Sequence, residues 1–73
     1  PSTTINYYVP KNSSIEISIH DIMGRKIETL KKGFVSQGNH SLIWDASYLS
    51  SGKYLVYLSS GNIKLSKIAT LIK

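Results

Sequence analysis

Apolar and polar residues alternate along almost the whole chain, which is the pattern of β-strands that bury one face and expose the other. In SIEISIHD (14–21) three isoleucines face one way, and the polar residues between them face the other. TTINYYV (3–9) and HSLIWDA (40–46) show the same period, the latter with Leu42 and Trp44 on one face. No long segment has a helical period, so we expect an all-β protein without a helix of any length.

Glycine, serine and asparagine divide these segments into short strands. DIMGRK (21–26) and SGN (60–62) are typical of tight turns, and glycine there is free to take a positive φ. KIETLKKGF (26–34) departs from strict alternation, which a β-bulge or two short strands would explain. KYLVYLS (53–59) is apolar on both faces and predicts a central strand, covered on both sides or nearly so. Six or seven short strands predict a small antiparallel β-sandwich.

Trp44, the only tryptophan, stands directly before a bend of small polar residues in WDASYLSSGKYLVYLSSG (44–61). We interpret this stretch as the end of one strand, a corner, and the start of a strand in the facing sheet. Trp44 and Tyr54 would then enter one core from opposite sheets, where each ring buries about 150–250 Å². That burial is what allows so short a chain to close a core.

Composition narrows the function. The chain has 73 residues, no cysteine and a formal net charge of +5, so we expect one domain without disulfides or thiolate chemistry. Only Arg25-Lys26 and Lys31-Lys32 are adjacent basic pairs, a spread that argues against a nucleic-acid interface. No apolar stretch approaches the length of a membrane span, so we do not expect an integral membrane protein. Because the chain begins at Pro1 without methionine, we expect a piece of a longer protein.

The chain has few side chains suited to acid–base catalysis or metal binding, since there are only four acidic residues and two histidines. His20 falls on the outer face of a predicted strand, where we expect it to be solvated, and no spacing suits a metal site. Asp21 and Asp45 each end a strand at a turn, where aspartate commonly accepts backbone hydrogen bonds. Nucleophile-elbow and phosphate-loop motifs are absent from the sequence. We therefore expect no enzyme, no metal and no cofactor.

The five tyrosines leave an alternative open, because exposed rings could form a stacking platform for sugars. At alternating strand positions, however, tyrosine more often serves core or cross-strand packing. Tyr48, which lies in the bend, is the one we expect to be exposed. An adhesive or carbohydrate-binding accessory domain is therefore a second hypothesis.

Three stretches together resemble one family. They are PSTTINYYVP (1–10), IEISIHDIMGRKIETL (15–30) and GNHSLIWDASYLSSGKYLVYLSSGNIKLSKIATLIK (38–73). In this order they resemble the type A C-terminal sorting domains of type IX secretion cargo, also known as Por secretion tails. Immunoglobulin-like domains of flagellar hook-capping proteins share the opening and the Gly-Arg turn, so a structural assembly domain is a third hypothesis.

The resemblance implies that residues 1–73 are a single immunoglobulin-like β-sandwich at the C-terminus of a larger secreted protein. Its function would be a non-catalytic secretion signal that takes the cargo through the periplasm to the cell surface or the medium. The implied partners are the type IX outer-membrane translocon, a sortase-like peptidase that removes or processes the domain, and the N-terminal cargo domain.

The resemblance also suggests recognition residues in three elements: an Asp-x-x-Gly-Arg turn, a Gly-x-Tyr element and the terminal strand. Arg25 could offer its guanidinium fork to a receptor carboxylate, or it could pair internally with Asp21. Gly52 would start a strand at a close backbone approach. The last strand, if it lies at a sheet edge, could be recognised by strand addition. The implied positions are Asp21, Gly24, Arg25, Gly52, Tyr54, Lys67, Leu71, Ile72 and Lys73.

Overall fold

The computed structural model describes residues 2–72, which form six β-strands and no helix. Every pairing between strands is antiparallel. None of the residues from 2 to 72 belongs to a helix long and apolar enough to span a membrane. The strands are β1 (Ser2–Val9), β2 (Ser13–Asp21), β3 (Lys26–Val35), β4 (Gly38–Asp45), β5 (Gly52–Ser60) and β6 (Ile63–Leu71).

The strands form two sheets that pack face to face. The larger sheet has the order β3-β2-β5-β6, and the smaller sheet pairs β1 with β4. The chain changes sheet after β1, after β3 and after β4. This confirms the predicted small immunoglobulin-like β-sandwich, with six strands.

The segment with irregular alternation, residues 26–34, lies in strand β3. It is one strand, and its register against β2 shifts between Ile17 and Ser18 and again between Ile19 and His20. Each shift leaves an extra residue on β3, as in a β-bulge. The bulges let Ile27 and Leu30 pack against the core although they break the alternation.

The core lies between the sheets, and Trp44 is its largest fully buried side chain, with 0% exposure. The Trp44 ring meets Tyr54 edge to face, with ring centroids 6.2 Å apart and an interplanar angle of 78°. Trp44 belongs to β4 of the smaller sheet and Tyr54 to β5 of the larger, so the pair joins the sheets as predicted. Pairs with this geometry add about 0.5–1.5 kcal/mol beyond the burial of their area.

A second cluster of buried side chains fills the other half of the sandwich. Val56 and Leu30 pack against both this cluster and the one around Trp44, so the two halves form one continuous core. The second cluster consists of Val9, Ile15, Ile17 and Val35.

Strand β5 is central, because it pairs with β2 on one side and β6 on the other. Its residues 55–60 are half-buried on both faces. On the outer face this cover comes from neighbouring side chains such as His20, whose ring stacks on Tyr57 with centroids 4.3 Å apart. Both faces of β5 are therefore nearly covered, but the smaller sheet covers only the inner one.

We expect Trp44→Ala to lower the free energy of unfolding by about 3–5 kcal/mol, because it removes the largest ring from a closed core. Urea unfolding followed by circular dichroism measures this change. The matched control is Ile43→Ala on the exposed face of the same strand, for which we expect a change below about 0.5 kcal/mol. A loss under about 1 kcal/mol for Trp44→Ala would contradict the buried position of the ring.

Candidate recognition site

Strand pairing brings most of the predicted recognition residues to one end of the sandwich. Asp21 pairs with Tyr54, and Gly52 pairs with Leu71. We call this the motif end, which comprises the turn 21–25, the bend 46–51 and residues 52–54 and 71–72.

Two predicted residues are not placed at the motif end. Lys67 pairs with Val56 further along β6, about 13 Å from Leu71 at the usual rise per strand residue. Lys73 lies outside the described residues. The predicted set therefore divides into a compact group at one end and a separate position on β6.

The β2–β3 turn is closed by the carboxylate of Asp21. Its Oδ1 atom accepts hydrogen bonds from the backbone N–H groups of Met23 and Arg25, both at 2.9 Å. The backbone N–H of Gly24 donates to the carbonyl of Asp21, and the N–H of Asp21 donates to the carbonyl of Arg25. The turn is thus held by several local hydrogen bonds and presents one fixed shape.

Gly24 is required in this turn by its backbone conformation. Its φ is +87°, a value that favours glycine. A Cβ at this position would meet no atom within 4 Å, so space is not the constraint. The prediction that glycine permits a positive φ here is confirmed.

Arg25 forms the internal pair with Asp21 that the sequence left open, and its contact with a receptor stays a prediction. Its Nε–H donates to Oδ2 of Asp21 at 2.9 Å, while its side chain remains 80% exposed. Among residues 2–72 the two terminal nitrogens of the guanidinium have no hydrogen-bond partner. The ion pair therefore orients the side chain and leaves its outer donors available to a carboxylate.

His20 braces the same turn, a role that the sequence interpretation missed when it described this histidine as solvated. Its Nδ1–H donates to the carbonyl of Gly24 at 3.3 Å, and its Nε2 accepts from the hydroxyl of Ser18 at 2.9 Å. The stacked Tyr57 covers the ring. Alternation placed His20 on the outer face correctly, but only the cross-strand pairing of Ser18 with Tyr57 reveals its neighbour.

Gly52 begins β5 with a φ of +153°, which explains the glycine. The close backbone approach expected here is wrong, because a Cβ at Gly52 would meet no atom within 4 Å. The requirement comes from the geometry of the corner between the two sheets, where the chain re-enters a strand.

Tyr54 fastens this corner from inside the core. Its hydroxyl donates to the carbonyl of Ser50 at 2.7 Å, and its ring is buried against Trp44. A tyrosine bonded back to the chain a few residues upstream is a known corner device of immunoglobulin-like sandwiches. The position of Tyr54 thus has a structural explanation, and direct contact with a receptor stays a prediction.

Side-chain hydrogen bonds also hold the bend between β4 and β5. Asp45 Oδ1 accepts from the N–H of Ser47 at 3.0 Å, as expected for an aspartate at a strand end. The hydroxyl of Tyr48 donates to the carboxylate of Glu28 on β3. Tyr48 is nevertheless exposed, as predicted.

The five tyrosines do not share one surface. Tyr54 is buried, Tyr57 stacks on His20 outside the larger sheet, and Tyr7 stacks on His40 with centroids 5.5 Å apart. They therefore offer no common platform for a sugar. Among residues 2–72 there is also no cluster of three or more side chains suited to hold a metal ion.

Charges near the turn are paired locally. The backbone N–H of Arg25 makes the largest contribution to lowering the pKa of Asp21, followed by its guanidinium. On β2, the ammonium of Lys26 lies 2.7 Å from Glu16 and lowers the pKa of that carboxyl. Both carboxylates are therefore held in the ionised form.

Six strands in two sheets, joined at a corner that Tyr54 fastens, define an immunoglobulin-like β-sandwich with a rigid, exposed turn at one end. Residues 2–72 match the family described as the secretion system C-terminal sorting domain, and the chain belongs to this family. The family indicates a C-terminal sorting signal for type IX secretion, which implies a cargo protein, the secretion machinery, and export to the cell surface or the medium. No curated protein matches the chain.

Asp21→Asn tests whether the charged carboxylate stabilises the turn. Because the folded-state pKa is lowered, the stabilisation is complete above the ordinary value of 3.8 and is lost as the pH falls through the folded-state value. We expect the wild type to be more stable than the variant at pH 7, and the difference to shrink below about pH 4.

Urea unfolding of both proteins across this pH range measures the difference. Glu16 is present in both, so its own titration cancels in the comparison. A difference that stays constant down to about pH 2 would contradict a stabilising role for the ionised Asp21.

Proposed function

We propose that residues 1–73 are the single C-terminal sorting domain of a larger secreted protein. The domain directs its cargo from the periplasm across the outer membrane through the type IX translocon, and a sortase-like peptidase removes or processes it at the cell surface. The domain itself is non-catalytic and needs no cofactor. The observation that carries this proposal is the family match over residues 2–72.

The geometry of the motif end supports a recognition role. The Gly-Arg turn is held by the carboxylate of Asp21 and by His20, so little conformational entropy is lost when a receptor binds it. The outer donors of Arg25 suit a receptor carboxylate. Beside the turn, Ile72 is exposed at the end of β6 while Leu71 is anchored in the core.

The terminal strand supports a second contact. β6 is an edge strand of the larger sheet. An edge strand carries backbone N–H and C=O groups without a partner strand on one side. A translocon component could therefore extend the sheet by strand addition.

A fluorescent reporter tests the proposed function directly. Residues 1–73, after a short linker, would be appended to a periplasm-directed reporter in a bacterium with type IX secretion, and in a strain without the translocon. We expect reporter on the surface or in the medium of the first strain only. Retention in the periplasm of both strains, with the domain folded, would contradict the proposal.

The same proteins separate the other hypotheses. Self-association, or binding to a hook protein, would favour a structural assembly domain like that of the hook-capping proteins. Quenching of tryptophan or tyrosine fluorescence by sugars would favour an accessory binding domain. Both hypotheses stay predictions.

We expect Arg25→Ala to leave the fold intact and to weaken export. The backbone hydrogen bonds to Asp21 remain in the variant, whereas the guanidinium fork is lost. Arg25→Lys is the matched variant, because it keeps the charge without the planar fork. Lys11→Ala, in the β1–β2 connection, is the control for loss of one positive charge.

Thermal unfolding and the amount of exported reporter are the two measurements. Unfolding of Arg25→Ala would place Arg25 among the structural residues. Export equal to that of Lys11→Ala would remove it from the recognition site.

A further inference from the structure

The first half of β6 is exposed on both of its faces. Six consecutive residues, 63–68, are exposed, the longest such run in any of the six strands. Leu65 is 59% exposed although its pairing with Leu58 places it on the inner face, and Ile68 on the outer face is 62% exposed. Only the other end of the strand, at Ala69 and Leu71, packs into the core.

The widths of the two sheets explain this exposure. With strands about 4.8 Å apart, the edge strands of the larger sheet lie about 14 Å apart, whereas the smaller sheet spans only about 5 Å. At one end of the smaller sheet, Trp44 packs in the same cluster as Leu71 of β6. At the opposite end, Val9 packs with Val35 of β3, the other edge strand. On the N-terminal side of Lys67, the inner face of β6 is therefore left uncovered by the other residues from 2 to 72.

The two edges of the larger sheet differ in how well they could accept another strand. β3 carries two register shifts, and such bulges protect an edge from pairing. β6 keeps nine consecutive pairs with β5 without a shift, from Gly52 with Leu71 to Ser60 with Ile63. Its backbone is therefore regular enough to template a further strand.

The charges on this half of β6 indicate what that strand should carry. Lys64 and Lys67 lie on opposite faces, and neither forms an ion pair with any residue from 2 to 72. Lys64 pairs with Ser59 of β5, which in turn pairs with Glu16 of β2. Glu16 is therefore the acidic residue aligned with Lys64 across the sheet, but it lies two strands away and already forms an ion pair with Lys26. A partner strand would meet one unneutralised lysine on each face.

We propose that residues 63–68 of β6 form a strand-addition site for an extended, acidic segment of the secretion machinery. The segment carries apolar side chains that cover Leu65 and Ile68 and carboxylates that pair with Lys64 and Lys67. This inference rests on the proposed function and specifies the partner. It also places the contact on the first half of the strand, away from the Gly-Arg turn.

Charge reversal in the reporter fusion tests the inference. Lys64→Glu/Lys67→Glu places two carboxylates against an acidic partner, and like charges across an interface are costly. We expect export to fall by about tenfold or more. Lys11→Glu/Lys31→Glu changes the net charge by the same amount away from β6 and should reduce export by less than about twofold.

A second pair of variants tests the apolar contact. Leu65→Thr keeps a residue suited to a strand but removes apolar surface, and we expect export to fall. Ile43→Thr makes an equivalent change at an exposed position on β4 and should leave export unchanged. Thermal unfolding checks that each variant is folded, and Lys64→Gln/Lys67→Gln replaces the charge reversal if that variant does not fold.

The outcomes separate this inference from the proposed function. Export of the wild-type fusion together with wild-type export of the β6 variants would overturn the strand-addition site alone. Equal losses in the β6 variants and their controls would also overturn it. Failure of the wild-type fusion would overturn the proposed function and this inference with it.

Discussion

The contact between Trp44 and Tyr54 is the interaction on which the rest of the sandwich depends. The smaller sheet has only two strands and the chain has no cysteine, so packed side chains rather than disulfides join the sheets. The two rings come from different sheets and meet edge to face in the core. Because Tyr54 also bonds to Ser50, the same pair fixes the bend through which the chain passes between the sheets.

The core also positions the Gly-Arg turn. Ile17 and Ile19 hold β2 against the smaller sheet, so the residues between and after them must face outward. His20 reaches the carbonyl of Gly24 from that outer face, and Asp21 ends the strand with its carboxylate inside the turn. A turn built on a central strand is held more accurately than a free loop, which explains how a small domain can hold Arg25 in a fixed orientation.

Period-two alternation was enough to predict β1, β2 and β4, their inner faces and the corner after Trp44, because burial of one sheet face imposes that period directly. Features that depend on pairing between distant strands could not be predicted. The brace formed by His20 requires Tyr57 beside Ser18, and the sequence does not specify this register. The close backbone approach expected at Gly52 was wrong because a glycine in a sequence indicates either a close approach or an unusual φ. Only the folded backbone distinguishes the two.

The Gly-Arg turn and the exposed half of β6 are two separate surfaces that one partner could contact together. The turn lies on β2 and the exposed half of β6 lies two strands away, so the two surfaces are about 15–20 Å apart. Under the proposed function, each surface is small and would alone give a weak contact. A partner that reaches both gains from the high effective concentration of the second surface once the first is bound, without any single strong bond. Loss of either contact would then release the domain quickly.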